Sequence, residues 1–383
     1  MSKHFSSINI ESYRGIKNLE LNDLSSINVI VGDNNVGKTS VLEAISLLSD
    51  PSPYNVFQVA RQREKYRISM RMGLSFLDLF MYLFNIDSKM KDTNAYHLKI
   101  SGVFDGVPAL IDINGELVDQ LIDIEALSKY NSAARNKIRA NGLEEQEEVK
   151  TFIGSIKSAI TKSEQLSILE DEKKSEIMEP IEFNEYTRIM RSSKDEGIVK
   201  VQTVQTIDHI VDNAFSNIIK NKVMKTTAMD LLKLFDSSII DLRFINENNR
   251  FVPVVECESR DYLPLSMYGE GMKKALTILN ALVVAENGVV LIDEFETAVH
   301  TSVMAKVFEF MIIVAKKMNI QLFLTTHSIE AVDKLLLSAG ESIDSIRVIT
   351  LKRDNEFGKI LSRSMKGSEV SEDRKSFDFE VRE

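Results

Sequence analysis

Apolar residues along this chain recur at three spacings, and each spacing predicts a different element. Short continuous runs (Val29-Ile30-Val31 after Ile27, Val289-Val290-Leu291-Ile292, and Leu322-Phe323-Leu324 after Gln321) predict strands buried on both faces of a parallel sheet. Strict alternation predicts half-buried strands. It runs through residues 5–21 around a Tyr13-Arg14-Gly15 turn, and through 97–113 around Asp105-Gly106. It returns at 239–255 around Asn246-Glu247-Asn248-Asn249, and at 346–363 around a turn at 354–358. Helical spacing follows three of these strands: Val41, Leu42, Ile45 and Leu48; Val307, Phe308, Met311, Ile312 and Val314; and residues 329–337. An aromatic and aliphatic cluster (Phe76, Leu77, Leu79, Phe80, Met81, Leu83, Phe84) follows Pro51 and Pro53.

Between residues 117 and 235 the pattern changes. Pro180 is the only proline there, and Ile153, Ile156, Ile160 and Ile168 stand among lysines and glutamates, which predicts a compact helical insertion. Heptads are not sustained, so a long coiled coil is not expected. The polar stretch 364–383 shows few anchors.

Composition narrows the class without fixing it. With 383 residues, 44% hydrophobic and 27% charged, the chain is of ordinary globular usage and long enough for a large core with an inserted lobe. The net charge of -10 argues against a surface that binds nucleic acid throughout and leaves room for a local basic strip. Arg61, Arg63, Lys65, Arg67 and Arg71 form the densest candidate; their alternation with Gln62, Glu64 and Tyr66 suits a solvated strand or loop face, and phosphate or partner contacts are the other reading. No apolar segment has the length of a signal peptide core or a membrane span, so a cytoplasmic protein without membrane contact is expected. The single cysteine, Cys257, has no partner for a disulfide or a zinc site and reads as a small buried side chain.

The chemistry concentrates at strand ends. Gly32-Asp-Asn-Asn-Val-Gly37-Lys38-Thr39 lies between a buried strand and a helix, the setting of a phosphate-binding loop. Glycines at 32 and 37 let backbone N–H groups approach phosphate oxygens, and the helix start adds its positive dipole end. Asn34, Asn35 and Ser40 belong to the same wrap, Lys38 offers a point charge, and Thr39 a hydroxyl for Mg²⁺. Asp293 and Glu294 close the second buried strand, where ligands bind in parallel sheets: Asp293 suits Mg²⁺ and Glu294 suits a general base for water. The third buried strand ends in Thr326-His327-Ser328. Ser266, Gly269 and Gly271 open a strongly apolar helix, a pattern that ordinary capping also produces.

Taken in order, "INIESYRGIKNLEL", "INVIVGDNNVGKTSVLEAI", "LSMYGEGMKKAL", "LIDEFETAVH" and "TTHS" resemble the ABC-type ATPases of the RecF, SMC and OLD-like group. The resemblance covers roughly the first 70 and last 140 residues. It implies an α/β fold: an ABC-ATPase-like P-loop sheet with an N-terminal antiparallel β subdomain and a mostly helical insertion. The expected parts are 1–116, a first head segment with the Walker A loop; 117–235, the insertion; and 236–383, a second head segment with signature, Walker B and switch histidine. The resemblance puts Arg14 near the nucleotide, a Mg²⁺-reaching glutamine at Gln58 or Gln62, and His327 at the γ-phosphate. Met267 and Tyr268 stand where transporter relatives carry glycines, and Thr301 replaces the usual proline after His300.

The resemblance further implies ATP and Mg²⁺ as cofactors and composite sites between two copies. Lys38, Thr39, Asp293, Glu294 and His327 would come from one chain, and Ser266 and Gly271 from its mate. No nuclease constellation is visible, and none is expected in this chain. Short relatives without a nuclease domain include ATPase subunits of phage-defence systems, which work with a separately encoded effector, often a nuclease. That makes an ATP-driven controller of a partner effector the leading expectation, in a homodimer or higher oligomer. A RecF/SMC-like DNA-maintenance ATPase and an ATP-gated scaffold with slow turnover are the alternatives, and nucleic acid stays open as a partner.

Overall fold

The computed structural model describes residues 4–63, 74–85, 95–123, 146–161, 174–189, 197–206, 218–219, 222–247, 250–258, 260–354 and 358–377. The elements run β1 (Phe5–Tyr13), β2 (Ile16–Leu21), β3 (Ile27–Gly32), α1 (Lys38–Ser49), α2 (Pro53–Gln62), α3 (Phe76–Met81), β4 (Ala95–Phe104), β5 (Val107–Asp123), β6 (Gln146–Thr161), β7 (Lys174–Phe183) and β8 (Val201–Val204). There follow α4 (Lys222–Lys233), β9 (Ile239–Glu247), β10 (Arg250–Cys257), β11 (Arg260–Pro264), a 3₁₀ turn (Leu265–Met267), α5 (Glu270–Val284), β12 (Val289–Ile292), α6 (Thr301–Lys317), β13 (Gln321–Thr326), α7 (Ile329–Ala339), a second 3₁₀ turn (Gly340–Ser345), β14 (Ile346–Arg353), β15 (Ile360–Lys366) and α8 (Gly367–Phe377). The fold is α/β, with three sheets among the described residues, and the chain forms two compact units.

The first unit comprises Met1–Ser7, Leu21–Leu42 and Val199–Glu383. Its main sheet has the order β15-β14-β3-β13-β12-β8, parallel throughout except for β15. Strands β3, β12 and β13 are buried at every position, which is why they read as unbroken apolar runs. Leu276 and Leu279 of α5, Phe308 of α6 and Leu335 of α7 pack with Val29, Val290 and Leu322 in one core. Each such side chain contributes about 1.5–3 kcal/mol on burial. β13 separates β3 from β12, so the loops leaving three neighbouring strands open at one edge. A second sheet, β11-β10-β9, is antiparallel, with Arg250 opposite Glu247 across the expected hairpin; Asn248 and Asn249 of the turn lie outside the described residues.

The second unit comprises Ile8–Glu20 and Glu43–Ile198 and carries the sheet β2-β1-β4-β5-β6-β7. The 97–113 hairpin turns at Asp105-Gly106 as read, with Phe104 opposite Val107. The aromatic cluster forms this unit's core: the Phe80 ring makes edge contacts with Phe84, Phe152 and Phe183 at centroid distances of 5.3, 4.9 and 4.8 Å.

Two expectations need correction. The stretch 117–235 is not mainly helical among the described residues: it holds the end of β5, then β6, β7 and β8, with helix only at 218–219 and in α4. The isoleucines at 153, 156 and 160 imitate a helical period, but β6 pairs with β5 from Gln146 to Ile160, burying Phe152 and leaving Ile153 43% exposed. The cause is local. Gly154 lies opposite Gly115, and the Phe152 ring occupies the space a Cβ at either would take, a packing that suits a strand and that a helix would not provide. Ile168 lies outside the described residues. The tail 364–383 also has anchors: its first residues complete β15, and α8 buries Val370 completely and pairs Arg374 with Asp333 at 2.7 and 2.8 Å.

The basic strip divides as well. Arg61 stands on α2 rather than on a strand, Arg63 follows the helix, and Lys65, Arg67 and Arg71 lie outside the described residues. Among the described residues no helix is long and apolar enough to cross a membrane.

Candidate functional site

The site grows from the ends of β3, β12 and β13 in the first unit. β3 stops at Gly32 with φ +150°, where a Cβ would stand 2.5 Å from the Leu351 carbonyl oxygen, so the close passage of β14 requires glycine. Asn35 (φ 63°) and Gly37 (φ 109°) turn the following loop back into α1. Asn34 and Asn35 are exposed on the loop, and Ser40 is buried in the first turn of α1. The Lys38 ammonium reaches back across this loop and donates to the carbonyls of Gly32 (2.7 Å) and Asp33 (2.9 Å). Burial pulls its pKa below the usual lysine value, against the opposing pull of Glu294, Asp293, Asp33 and Glu296.

Thr39 donates to both Asp293 oxygens, at 3.2 and 3.1 Å. Asp293 also accepts from the Thr325 hydroxyl at 2.6 Å, and the Thr325 oxygen accepts from the Glu294 backbone N–H at 2.9 Å. The pair Thr39 and Asp293 is a hard oxygen set that suits Mg²⁺, which takes one or two protein ligands and completes its shell with phosphate and water.

Glu294 has φ +46°, an uncommon backbone conformation for a non-glycine residue, held by its own N–H bond to Thr325 and the following turn. Its Oε1 is 3.5 Å from His327 Nδ1, and its Oε2 accepts from the Thr297 hydroxyl at 3.3 Å. Glu296 accepts from the Thr326 hydroxyl at 2.6 Å, and burial raises its pKa above the ordinary carboxyl value. His300 caps α6, its Nδ1 accepting from the Ser302 N–H at 3.2 Å.

Lys38, Thr39, Asp293, Glu294 and His327 are thus linked around one group of charges. Ser266 and Gly269 are exposed where the 3₁₀ turn meets α5, and a Cβ on Gly271 would meet the Ala298 carbonyl oxygen at 2.7 Å, which ties that helix start to the turn after β12. Arg14 belongs to the second unit. Its Nε lies 2.8 Å from a Glu43 oxygen and 3.1 Å from the Tyr13 hydroxyl, and Arg63 grips the same carboxylate at 2.7 and 2.9 Å. Burial disfavours the Arg14 charge, and the Tyr13 and Glu43 groups more than offset that. Gln58 is exposed on α2, and Gln62 closes that helix half-buried. Glu43, Thr325 and Thr326 were not singled out in the sequence. The signal available for the threonines was two polar residues ending a buried strand, and for Glu43 an acid on the apolar side of α1.

A family model described as an AAA ATPase domain matches residues 4–332. An ATP/GTP phosphatase of Helicobacter pylori is 22% identical over 366 residues, covering 92% of this chain and 93% of that protein. The DNA replication and repair protein RecF of Rickettsia conorii is 51% identical over 41 residues, 11% of each chain. Among solved structures, an Smc head bound to the C-winged helix domain of ScpA superposes with a TM-score of 0.47 at 11% identity, covering 96% of this chain and 99% of that one. CbiO1 of Clostridium perfringens superposes with a TM-score of 0.40 at 11% identity, covering 98% and 97%.

Proposed function

The chain belongs to the AAA ATPase domain family and is an ATPase, and from that premise we propose how its residues work and what the cycle serves. The loop 32–37 and the start of α1 wrap the phosphates of ATP, with Lys38 as the fixed cation facing the outer ones. Thr39 and Asp293 hold Mg²⁺, which when bound neutralises charge on the phosphoryl oxygens. Glu294 orients a water and accepts its proton, and His327 meets the terminal phosphate. The observation that carries this reading is the linked set itself: Lys38 over its loop, Thr39 on Asp293, and Glu294 beside His327.

Ser266, Gly269 and Gly271 serve a second copy of the chain. The first turn of α5 has Gly269 as its N-cap and no side-chain capping bond, and the positive end of the helix dipole there favours an anion. Two copies then close around ATP and separate after hydrolysis. The assignment of Arg14 to the nucleotide rests on the family resemblance of its strand-turn segment. The cycle controls a separately encoded effector in phage defence, a reading supported by the family resemblance of the motifs. The RecF similarity favours a second reading, DNA maintenance, in which the partner is DNA.

Lys38→Ala tests the site. It should abolish ATP binding in calorimetry while the circular dichroism spectrum stays that of the parent chain. Unchanged binding and turnover would remove the phosphate-loop assignment.

A further inference from the structure

Three carboxylates crowd the turn after β12, and the proposed chemistry uses two of them, Asp293 and Glu294. The third, Glu296, has a side chain only 10% exposed. One oxygen accepts from Thr326, and the other, Oε2, is buried without a hydrogen-bond partner. A half-satisfied buried carboxylate is a costly choice for holding a turn together. The turn does not need it, since its backbone already bonds Thr297 N–H to the Glu294 carbonyl (3.0 Å) and Val299 N–H to the Glu296 carbonyl (3.1 Å).

What the carboxylate touches is the histidine segment. The Thr326 hydroxyl has a single proton, given to Glu296 at 2.6 Å, so its oxygen is left as the acceptor for the Ser328 N–H at 2.9 Å. One carboxylate thereby fixes the chain on both sides of His327. The same Glu296 oxygen lies 3.9 Å from His327 Nδ1, and Glu294 lies 3.5 Å from that nitrogen. With Nδ1 facing two carboxylates, Nε2 is the ring nitrogen left for a ligand.

We infer that Glu296 is a positioning residue for His327. It pins the Thr326-His327-Ser328 backbone through the threonine hydroxyl and, with Glu294, fixes the imidazole so that Nε2 is presented to the phosphoryl group. This rests on the reading of His327 as the phosphate-facing histidine.

The test uses the full chain with Glu296→Gln, Thr326→Val and Thr326→Ser. Glu296→Gln and Thr326→Val should lower kcat by about ten- to a hundredfold while KM for ATP stays within about twofold, as expected when orientation is lost and binding is kept. Thr326→Ser keeps the hydroxyl and should stay near the parent. Combining Glu296→Gln with Thr326→Val should cost no more than the worse single change. A second readout needs no turnover. The chain has five histidines, so ¹⁵N-histidine labelling gives a spectrum in which His327 is assignable by its substitution. In the nucleotide-free protein, Glu296→Gln and Thr326→Val should move the His327 ring-nitrogen resonances and Thr326→Ser should not. Unmoved resonances, or a Glu296→Gln kcat within twofold of the parent, would overturn the inference. Should the parent show no ATP turnover, the proposed function falls and the spectrum alone decides: moved resonances keep the link from Glu296 to His327, and unmoved ones remove it.

Discussion

At the scale of single residues, Glu296 makes stability and activity separable. Its carboxyl is raised above the ordinary 4.5 by burial, with Glu294 adding to the rise and the Thr326 bond and His327 opposing it, and Lys38 shares this field. A group whose folded pKa is raised binds its proton more tightly in the folded chain. Its stabilisation is therefore complete below the unfolded value and is lost as pH rises through the folded one. Above the raised pKa the buried charge costs stability, so Glu296→Gln should be at least as stable as the parent at alkaline pH, with the difference shrinking as the pH falls through the folded and toward the unfolded value. Urea titrations across that range check this, and a variant that is less stable by a pH-independent amount would contradict it. The strings around Lys38, Asp293 and His327 were legible because each is contiguous with a strand end. Thr325, Thr326 and Glu43 were not, because their partners lie 32, 30 and 29 residues away along the chain and only folding sets those pairings.

At the scale of elements, α8 separates packing from charge. Val370 is fully buried, whereas Arg374 and Asp333 form a pair whose acid is 36% exposed. Deleting two buried methyl groups should cost about 2 kcal/mol, and a partly exposed ion pair is worth at most about 1 kcal/mol. Val370→Ala should therefore lower the denaturation midpoint more than Arg374→Ala, and the reverse order would show that the ion pair anchors the helix. β6 carries the complementary lesson. Isoleucines three and four apart fit either a helix face or a strand whose alternation is broken, and the pairing of Gly154 with Gly115 beneath Phe152 decides between them.

At the scale of the whole molecule, a composite site predicts an assembly that follows the nucleotide. Glu294→Gln keeps the shape of the side chain but cannot take the proton, so ATP should remain bound and light scattering should report an ATP-dependent doubling of mass. Ser266→Arg added to it should abolish the doubling and leave ATP affinity intact. A mass that ignores ATP, or normal hydrolysis by Glu294→Gln, would favour a site complete within one chain. The sequence by itself determined the parallel sheet and its phosphate-loop strand, because continuous apolar runs and a glycine-bounded loop are properties of adjacent residues. Only the tertiary structure decided that 146–161 and 174–183 are strands, that the tail folds as a helix, and that Glu296 turns toward the histidine segment. Those outcomes depend on which distant backbone lies alongside, and hydrogen-bond register between strands is not written in the spacing of one of them.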